Sequence, residues 1–402
     1  MFDDRGCGPR DRVRAVFAGI RQAHRRDFRV RHAVRRVTAR RPFSMNHQSI
    51  RVRVSSCGVS FWDAGKLVWD DTLGHRQFAL VDGAEALLRW FSEWKPLEST
   101  DTMTDDPVLR ERYAKIAKIF LDHNILVAEG SPRHRFEESA TSTFQPWGRL
   151  ASAFHFATRN LADETAMSPE DYDAMLVENL KLGPPPRAHH TFADAPVVQL
   201  PDWSAADWQE RDLLELLYRR RSDRKFIDKP IPLESAAALL KVSAGIVEID
   251  EQSQTVFKTS PSGGGRHPTE VYVLVRAVDG IEPGVYHYNP TAHTLARIGG
   301  PCSDDDLSRI LTEQAWTENS AMVVFYTAVL ERSMWKYHTA RIYRVLHFDV
   351  GHLNQTVYLL VTALGLGMTF TSAVRDELVE QLLGIDPAGE LVMGCAVIGN
   401  KA

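Results

Sequence analysis

Apolar positions change their spacing several times along the chain, and each change predicts a different element. Residues 50–54 and 59–68 alternate apolar and polar side chains, which predicts a small β-hairpin or meander. Residues 84–91 place apolar side chains on one helical face, and 108–123 repeat that spacing before a short predicted strand at 125–128. This order predicts a small mixed α/β region of winged-helix type, a shape that often holds a peptide strand along an exposed edge.

The second half of the chain has longer elements with an α+β rhythm. The spacing predicts helices over 208–219 and 232–244, and the longest helix over 341–364, where apolar residues recur every three or four positions and Gly365 can end the helix. Runs rich in β-branched residues predict buried strands at 271–275, 321–330 and 391–398. The predicted fold class is therefore α+β, with a long central helix beside a sheet.

Composition and proline content divide the chain into four predicted regions. Three consecutive prolines follow Gly183 and remove backbone donors, so the chain there is predicted to be extended. Residues 140–182, just before them, are predicted to be helical. The regions are a basic leader at 1–44, an N-terminal domain at 45–182, a linker at 183–201 and a C-terminal domain at 202–402.

The charge of the chain is concentrated at its start. The 402 residues carry a net charge of −4, but residues 1–44 hold 13 arginines, no lysine and 4 aspartates, a local charge of +9 that leaves −13 for the rest. This leader fits a disordered segment, a nucleic-acid arm, a transit peptide or an over-extended start. The acidic remainder argues against nucleic acid as the partner of the folded part.

Cysteine spacing and hydropathy argue against several further classes of protein. The four cysteines form no CxxC pair and have no histidine at ligand spacing, so no metal site and no disulfide scaffold is expected, and a reducing cytoplasm fits this usage. The longest apolar run, 321–330, is shorter than the roughly 18 to 20 residues that a membrane-spanning helix needs. No membrane segment is predicted.

Two motifs in the second half are candidate ligand-binding elements. The first comprises Arg220, Ser222 and Arg224, whose guanidinium and hydroxyl groups suit a phosphate, although a basic helix end is also an ordinary solvated surface. The second comprises Pro261, Ser262, Gly263 and Gly264, where glycines let a flat or anionic ligand approach the backbone. It matches neither a Walker loop nor a GxGxxG fingerprint, and the alternative is a flexible hairpin loop.

Two more motifs lie on either side of the longest predicted helix. Lys336 and Tyr337 precede it, and three nearby arginines are expected to lower the pKa values of both side chains, unless the segment is a plain surface loop; these are Arg332, Arg341 and Arg344. After the helix, the Gly365–Leu366–Gly367 turn fits either a helix cap or a cofactor contact.

In combination, these motifs resemble the flavin-dependent nitroreductase superfamily and, more narrowly, its SagB-type branch, the dehydrogenases of thiazole- and oxazole-forming peptide maturation. The resemblance covers about residues 205–400. It rests on the elements R-R-S-x-R-x-F from Arg220, P-S-G-G-G-R-H-P-x-E-x-Y from Pro261, G-V-Y-H-Y from Gly284, G-H from Gly351 and L-G-L-G from Leu364. Family members commonly carry asparagine in the long helix where Thr356 stands here.

The resemblance implies a nitroreductase-like fold that binds FMN. The phosphate and ribityl chain would contact Arg220, Ser222 and Arg224, and the isoalloxazine would contact Pro261, Ser262, Gly263 and Gly264. Backbone at Gly365, Leu366 and Gly367 would also approach the flavin, and Lys336 and Tyr337 would be the catalytic pair.

The implied activity is oxidation of peptide azolines to azoles, with dioxygen as oxidant, a precursor peptide as substrate, a cyclodehydratase as partner and a homodimer as the assembly. The alternatives are a general FMN-dependent NAD(P)H reductase of nitro or quinone compounds, a non-catalytic peptide-binding scaffold, and a nucleic-acid binder that uses the basic leader. The arginines and serine of the first element argue against a scaffold that has lost its cofactor.

Overall fold

The computed structural model describes residues 50–159, 161, 168–202, 212–250 and 255–402. The basic leader at 1–44 lies outside the described residues. Among the described residues, no helix combines the length and the apolar character that a bilayer crossing requires.

The N-terminal part contains six short strands and five helices among the described residues. The strands are β1 (Arg51–Val54), β2 (Gly58–Asp63), β3 (Lys66–Asp71), β4 (Arg76–Ala79), β5 (Lys95–Pro96) and β6 (Leu126–Ala128). The helices are α1 (Ala84–Trp90), α2 (Pro107–Asp122), α3 (Pro132–Phe144), α4 (Gly148–Ala157) and α5 (Pro169–Leu182). The predicted helices and the strand after α2 are confirmed, and the 140–182 stretch contains α5 together with α4 and the end of α3.

Strand pairing in this part differs from the predicted hairpin in one respect. β2, β3 and β4 form an antiparallel meander, as the alternation predicted. β1, however, pairs with β5 and β6 in a separate three-stranded sheet. Val52 of β1 is fully buried in a cluster with Leu87 and Phe120 from α1 and α2, so helix packing draws β1 away from its sequence neighbour.

The C-terminal part is built on one large antiparallel sheet. Its strands are β7 (Val197–Gln199), β8 (Phe226–Ile227), β11 (Thr269–Val275), β12 (Gly284–Asn289), β13 (Thr294–Gly299), β14 (Met322–Val329), β15 (Leu366–Thr371) and β16 (Glu390–Lys401), and β9 (Ile246–Asp250) and β10 (Thr255–Lys258) form a separate hairpin. The strand order is β15-β16-β14-β11-β12-β13-β7, with β8 paired to β16. The three buried strands predicted from β-rich runs are confirmed as β11, β14 and β16.

Helices cover both faces of this sheet. They are α6 (Leu213–Arg219), α7 (Leu233–Ala244), α8 (Asp304–Ile310), α9 (Leu330–Met334), α10 (Ile342–Ala363) and α11 (Asp376–Leu383). Val273 of β11 packs with α7 and α10 on one face, while the next residue, Leu274, packs with α8 and α11 on the other. Successive side chains of a strand point to opposite faces of the sheet. Because helices cover both faces, both sets of side chains are apolar.

The long helix α10 packs across the first of these faces through one apolar stripe. Leu346, Val350, Leu353 and Val357 are buried along it, which confirms the helix predicted over 341–364. The chain leaves the helix at Gly365, whose φ of 74° lies in the left-handed region that glycine adopts without strain. The motifs singled out in the sequence lie along this helix and at its two ends.

Candidate active site

The first motif forms an extended segment between α6 and β8. Its backbone is fixed by Asp223, whose N–H donates to the Met368 carbonyl at 2.9 Å and whose carbonyl accepts from the Thr369 hydroxyl at 2.6 Å. These two bonds hold the side chains of Arg220, Ser222 and Arg224 beside β15, and Ser222 and Arg224 are exposed to solvent.

The side chain of Tyr358 in α10 contacts this segment and the neighbouring strand β15. Its hydroxyl lies 3.1 Å from the Ser222 hydroxyl and accepts the Phe370 N–H at 2.9 Å. The Arg220 guanidinium lies over the Tyr358 ring at 5.0 Å, a cation–π distance that orients the guanidinium. Tyr358 was not predicted from the sequence, because it is one of many largely apolar residues in this helix.

The turn after α10 lies against the same segment. An added Cβ on Gly367 would come within 3.0 Å of the Asp223 Cβ, so glycine permits the close approach of the two backbones. Gly365 ends the helix, and Leu366 is buried at the start of β15. The structure thus brings the first and the fourth motifs of the sequence together, more than 140 residues apart in the chain.

The second motif is tied to the long helix by Asp349. The Ser262 hydroxyl donates to Asp349 Oδ2 at 2.6 Å, and the Gly263 N–H donates to Asp349 Oδ1 at 3.0 Å. Ser262 Oγ also accepts the His267 N–H at 2.9 Å. Burial raises the pKa of Asp349, while the bonds from Ser262 and Gly263 act in the opposite direction. The segment is therefore a turn fixed by hydrogen bonds, and not the flexible hairpin loop that was the alternative interpretation.

Gly264 brings the second motif into contact with Lys336 and Tyr337. Gly264 has a φ of 67°, and an added Cβ would lie 2.2 Å from the Tyr337 hydroxyl. The Lys336 ammonium donates to the Gly264 carbonyl at 2.9 Å. Only glycine fits this position without strain or displacement of the tyrosine. The second and third motifs therefore form one cluster at the other end of the helix.

A small cavity of about 20 Å³ lies behind the second motif. Lys258 lines it and makes no ion pair or hydrogen bond with any described residue, so burial lowers the pKa of Lys258 to about 8. Burial and the nearby Lys258 charge lower the pKa of His267 to about 4, which keeps this imidazole neutral. The other lining residues are Ser243, Ala244, Ser260, Pro261, Ser262, Thr269, Val271, Asp349 and Leu353.

The electrostatic environment of Tyr337 differs from the predicted one. Burial and the neighbouring Tyr172 raise the pKa of Tyr337 to about 12, and the opposing effect of Arg266 is smaller. The expectation of a lowered phenol pKa was wrong because the three nearby arginines act elsewhere. Arg341 and Arg344 donate to backbone and hydroxyl oxygens at the end of α4, at 2.7 to 2.9 Å.

Arg332, the third of these arginines, is buried in an ion pair with Glu270. Burial alone would raise the pKa of Glu270, but the Arg332 charge and a bond with His287 at 2.7 Å lower it. The Glu270 carboxylate also accepts a hydrogen bond from the backbone N–H of His190 at 2.8 Å. The His190 ring forms a hydrogen bond with the Glu390 carboxylate at 2.7 Å. This network, which we call the buried ionic network, fastens residues 187–190 to the large sheet.

The long helix contributes an asparagine that was not assigned from the sequence. Asn354 is buried one turn before Tyr358, and its Oδ1 has no hydrogen-bond partner among the described residues. Thr356 stands where family members commonly have asparagine, and its hydroxyl forms a hydrogen bond with the Ser260 hydroxyl at 2.7 Å. An unpaired buried amide oxygen is costly in a folded protein, which marks Asn354 as a candidate ligand contact.

The two clusters suit an elongated ligand with an anionic end. Asp349 and Tyr358, their anchors on α10, are nine residues apart, a rise of about 13.5 Å along a helix. At one end Arg220 and Arg224 pair with no described carboxylate, and at the other Gly263 and Gly264 expose backbone. These features fit the FMN that the resemblance implies. Among the described residues, no group of three His, Cys, Asp or Glu side chains is arranged to hold a metal.

The free thiols of the described chain are poor nucleophiles. Cys57 and Cys395 are buried, and burial raises the pKa of Cys57 to about 11 and that of Cys395 further. A protonated thiol is neither a metal ligand nor a nucleophile, so these residues serve packing.

Comparison with known proteins identifies the class of this fold as an oxidoreductase. The model of the Nitroreductase family matches residues 217–400. The chain is 34% identical to "Putative nitroreductase MJ1384" of Methanocaldococcus jannaschii over 50% of this chain and 96% of that protein. The chain therefore belongs to the nitroreductase family, whose members typically bind FMN. The resemblance and the fold expected from the motifs are confirmed.

Two further similarities cover less of the relatives' length. The chain is 37% identical to the trifolitoxin-processing protein TfxB of Rhizobium leguminosarum bv. trifolii, over 35% of this chain and 39% of TfxB. This match agrees with the peptide-maturation branch that the motifs indicated. A nitroreductase-type crystal structure from Anabaena variabilis is 25% identical with a TM-score of 0.48, covering 63% of this chain and 48% of that one.

Proposed function

We propose that the chain is an FMN-dependent dehydrogenase that oxidises azoline rings of a precursor peptide to azoles. The observation that carries this proposal is the contact of Lys336 and Tyr337 with Gly264, which joins a proton-transfer pair to the glycine turn. The similarity to a trifolitoxin-processing protein supports a peptide substrate.

In this proposal the first cluster holds the phosphate and ribityl chain of FMN through Arg220, Ser222 and Arg224. Pro261, Ser262, Gly263 and Gly264 would contact the isoalloxazine, and backbone at Gly365, Leu366 and Gly367 would approach it. Purified protein should then be yellow. Hydrogen bonds to charged groups contribute about 1.5 to 3 kcal/mol each, so Arg220→Met or Arg224→Met should weaken FMN binding about 10- to 100-fold. The exposed Arg149→Met is the matched control and should leave FMN binding unchanged.

The chemistry assigned to the chain's own residues is proton transfer. The Cα–H of an azoline is acidic because the resulting charge delocalises into the ring C=N and the adjacent carbonyl. Lys336, acting in its uncharged amine form, accepts this proton and becomes an ammonium, and Tyr337, which stays protonated at neutral pH, donates a hydrogen bond to the substrate. Bound FMN supplies the hydride acceptor for the Cβ hydrogen, which completes the two-electron oxidation.

Co-expression with a precursor peptide and its cyclodehydratase tests the activity. Mass spectrometry should detect a loss of two hydrogens per ring. Lys336→Ala should keep bound flavin but lower turnover about 10²- to 10⁴-fold, the usual contribution of a general base. Lys229→Ala changes an exposed lysine in the same domain and serves as the control. Undiminished azole formation by Lys336→Ala would refute the assignment.

A general nitro or quinone reductase is the second candidate. The match to MJ1384, which covers nearly all of that protein, favours it. Such an enzyme uses NAD(P)H, so rapid bleaching of the bound flavin by NADPH, without azole formation in the co-expression assay, would favour this function over the first.

We propose a homodimer, a cyclodehydratase partner and peptide handling by residues 45–182 as the setting of this activity. Exposed apolar side chains on α6 and α10 support the dimer; they include Leu213, Leu214, Tyr218, Tyr343 and Phe348. Sedimentation should give twice the chain mass, and a monomer that retains flavin would contradict the dimer. Loss of precursor binding on deletion of residues 45–157 would support the assigned role of that region.

A further inference from the structure

Arg266, which comes two residues after Gly264, is a buried cation without an anionic partner. Only 9% of the residue is exposed. Its Nε donates to the Arg332 carbonyl at 3.2 Å, and the side chain makes no other hydrogen bond and no ion pair with any described residue. The N–H groups of Nη1 and Nη2 therefore have no described partner. Arg332, which is also buried, differs because it pairs with Glu270.

Trp335 fixes the position of this guanidinium. The Arg266 Cζ lies 5.0 Å from the centre of the Trp335 ring, a cation–π distance. The ring N–H of Trp335 donates to the Gly183 carbonyl at 3.2 Å, and its backbone carbonyl accepts from the Asn179 side-chain amide at 2.8 Å. Asn179 belongs to α5, and Gly183 is the residue after it. The end of α5 thus holds the ring on which the guanidinium is stacked.

The guanidinium lies beside the contact between Lys336 and the glycine turn. Trp335 directly precedes Lys336, whose ammonium donates to the Gly264 carbonyl at 2.9 Å. The two contacts therefore join the same pair of short segments, 264–266 and 335–337. Burial raises the pKa of Tyr337, and the Arg266 charge opposes this effect, which agrees with a guanidinium close to both members of the catalytic pair.

We propose that Arg266 is a catalytic residue whose guanidinium donates hydrogen bonds to the carbonyl oxygen next to the azoline ring. This inference rests on the proposed function and deepens it. When Lys336 accepts the Cα proton, the electron pair of the broken C–H bond moves into the ring C=N and this carbonyl, whose oxygen gains negative charge. The same electron pair forms the new ring double bond when the Cβ hydrogen leaves as hydride, so the oxygen is neutral again in the azole.

The chemistry of arginine suits this role. A guanidinium stays protonated at working pH, so Arg266 stabilises the charge without a proton transfer and leaves the O–H of Tyr337 free for its own hydrogen bond to the substrate. Donors held in place before the reaction lower the barrier most where the charge develops only in the transition state. A buried charge without a partner is unfavourable in the free protein, and the substrate carbonyl would supply that partner.

Unfolding by denaturant tests the role of Arg266 without any substrate. In the flavin-loaded full chain, Arg266→Met should unfold at a denaturant midpoint at least as high as that of the wild type, because it removes a buried charge that has no carboxylate partner. Arg309→Met, at a side chain that is 63% exposed, is the matched control and should leave the midpoint unchanged. A lowered midpoint or loss of flavin in Arg266→Met would indicate a structural role and overturn the proposal.

Binding of benzoate tests the donors directly. The carboxylate of this flat probe stands for the negatively charged carbonyl oxygen. Benzoate should change the absorbance of the bound flavin saturably in the wild type and in Arg309→Met, and it should bind at least tenfold more weakly to Arg266→Met. Equal affinity for the wild type and Arg266→Met, or no binding to the wild type, would contradict the proposal.

Turnover of the precursor peptide is the third measurement. Arg266→Met should lower kcat about 10²- to 10³-fold, the usual cost of removing a donor to a developing oxyanion, while KM changes less than about tenfold. Arg266→Lys, which keeps the charge but not the planar fork, should recover part of this loss. An unchanged kcat in Arg266→Met would refute the catalytic role and leave the proposed function intact. If the wild type oxidises no azoline, the proposed function fails, and the benzoate titration still decides whether Arg266 binds an anion here.

Discussion

Arg332 and Glu270 form an ion pair in the interior of the C-terminal part, with at most 3% of either side chain exposed. Arg332 follows β14 and Glu270 lies in β11, so the pair joins the end of one strand to its neighbour. Arg332 also donates to the Arg187 carbonyl at 2.8 Å, which extends the connection to the segment before β7.

Breaking this pair should destabilise the protein strongly. Arg332→Met leaves the Glu270 carboxylate buried without its cation, and loss of one partner of a buried pair typically costs about 3 to 5 kcal/mol. Denaturant unfolding measures the change. Arg219→Met removes an ion pair whose side chains are more than half exposed and should cost less than about 1 kcal/mol. Equal costs for both substitutions would contradict the role of burial.

Lys258 should make the free energy of unfolding depend on pH in the alkaline range. Because the folded-state pKa is about 8 and the unfolded value is near 10.5, the unfolded chain binds more protons between these values, and this residue's contribution to stability rises with pH there. Lys258→Met should therefore raise the unfolding free energy by about 1 to 2 kcal/mol at pH 7, with the gain shrinking towards pH 10. Unfolding curves at both pH values check this, and a gain independent of pH would contradict it.

Gly264→Ala should impair turnover more than flavin binding. The left-handed backbone costs about 1 to 2 kcal/mol for a residue with a Cβ, and the new methyl group would displace the Tyr337 hydroxyl. We expect kcat to fall at least tenfold while the flavin spectrum persists. Gly300→Ala, where no atom lies within 4 Å of the added Cβ, is the control. A fully active Gly264→Ala protein would show that the contact with Tyr337 has no role in catalysis.

Asp349→Asn should loosen the second motif. Asp349 accepts from Ser262 and Gly263 with separate oxygens, whereas an amide offers one acceptor and one donor to these two donors. The expected result is about tenfold weaker FMN binding, measured by the fluorescence of released FMN. Asp305→Asn, at an exposed aspartate, should bind FMN as the wild type does.

Local patterns predicted much of the C-terminal fold. β11, β14 and β16 are continuous apolar runs, and α10 repeats one apolar stripe, so both types of element carry their own signal. The pairing of β1 was not predictable in this way, because its partners are selected by the packing of α1 and α2 around Val52.

The directions in which side chains point explain most of the site contacts that local sequence patterns did not predict. Arg332 is four residues from Lys336 in the chain, yet its guanidinium pairs with the buried Glu270. Tyr358 and Asn354 have no distinguishing local pattern. Their place in the site arises from contacts and burial that only the folded chain creates.

The attachment of residues 187–199 to the large sheet determines where the protein can be cut. A fragment that started at residue 202 would lack β7 and would leave the edge of β13 unpaired, a surface on which strands of other molecules can add. It would also lack the His190 ring that bonds Glu390. A recombinant C-terminal half should therefore start before Ser168, so that it retains α5, the buried ionic network and the β7 strand that pairs with β13, and it should resist aggregation better than the shorter fragment.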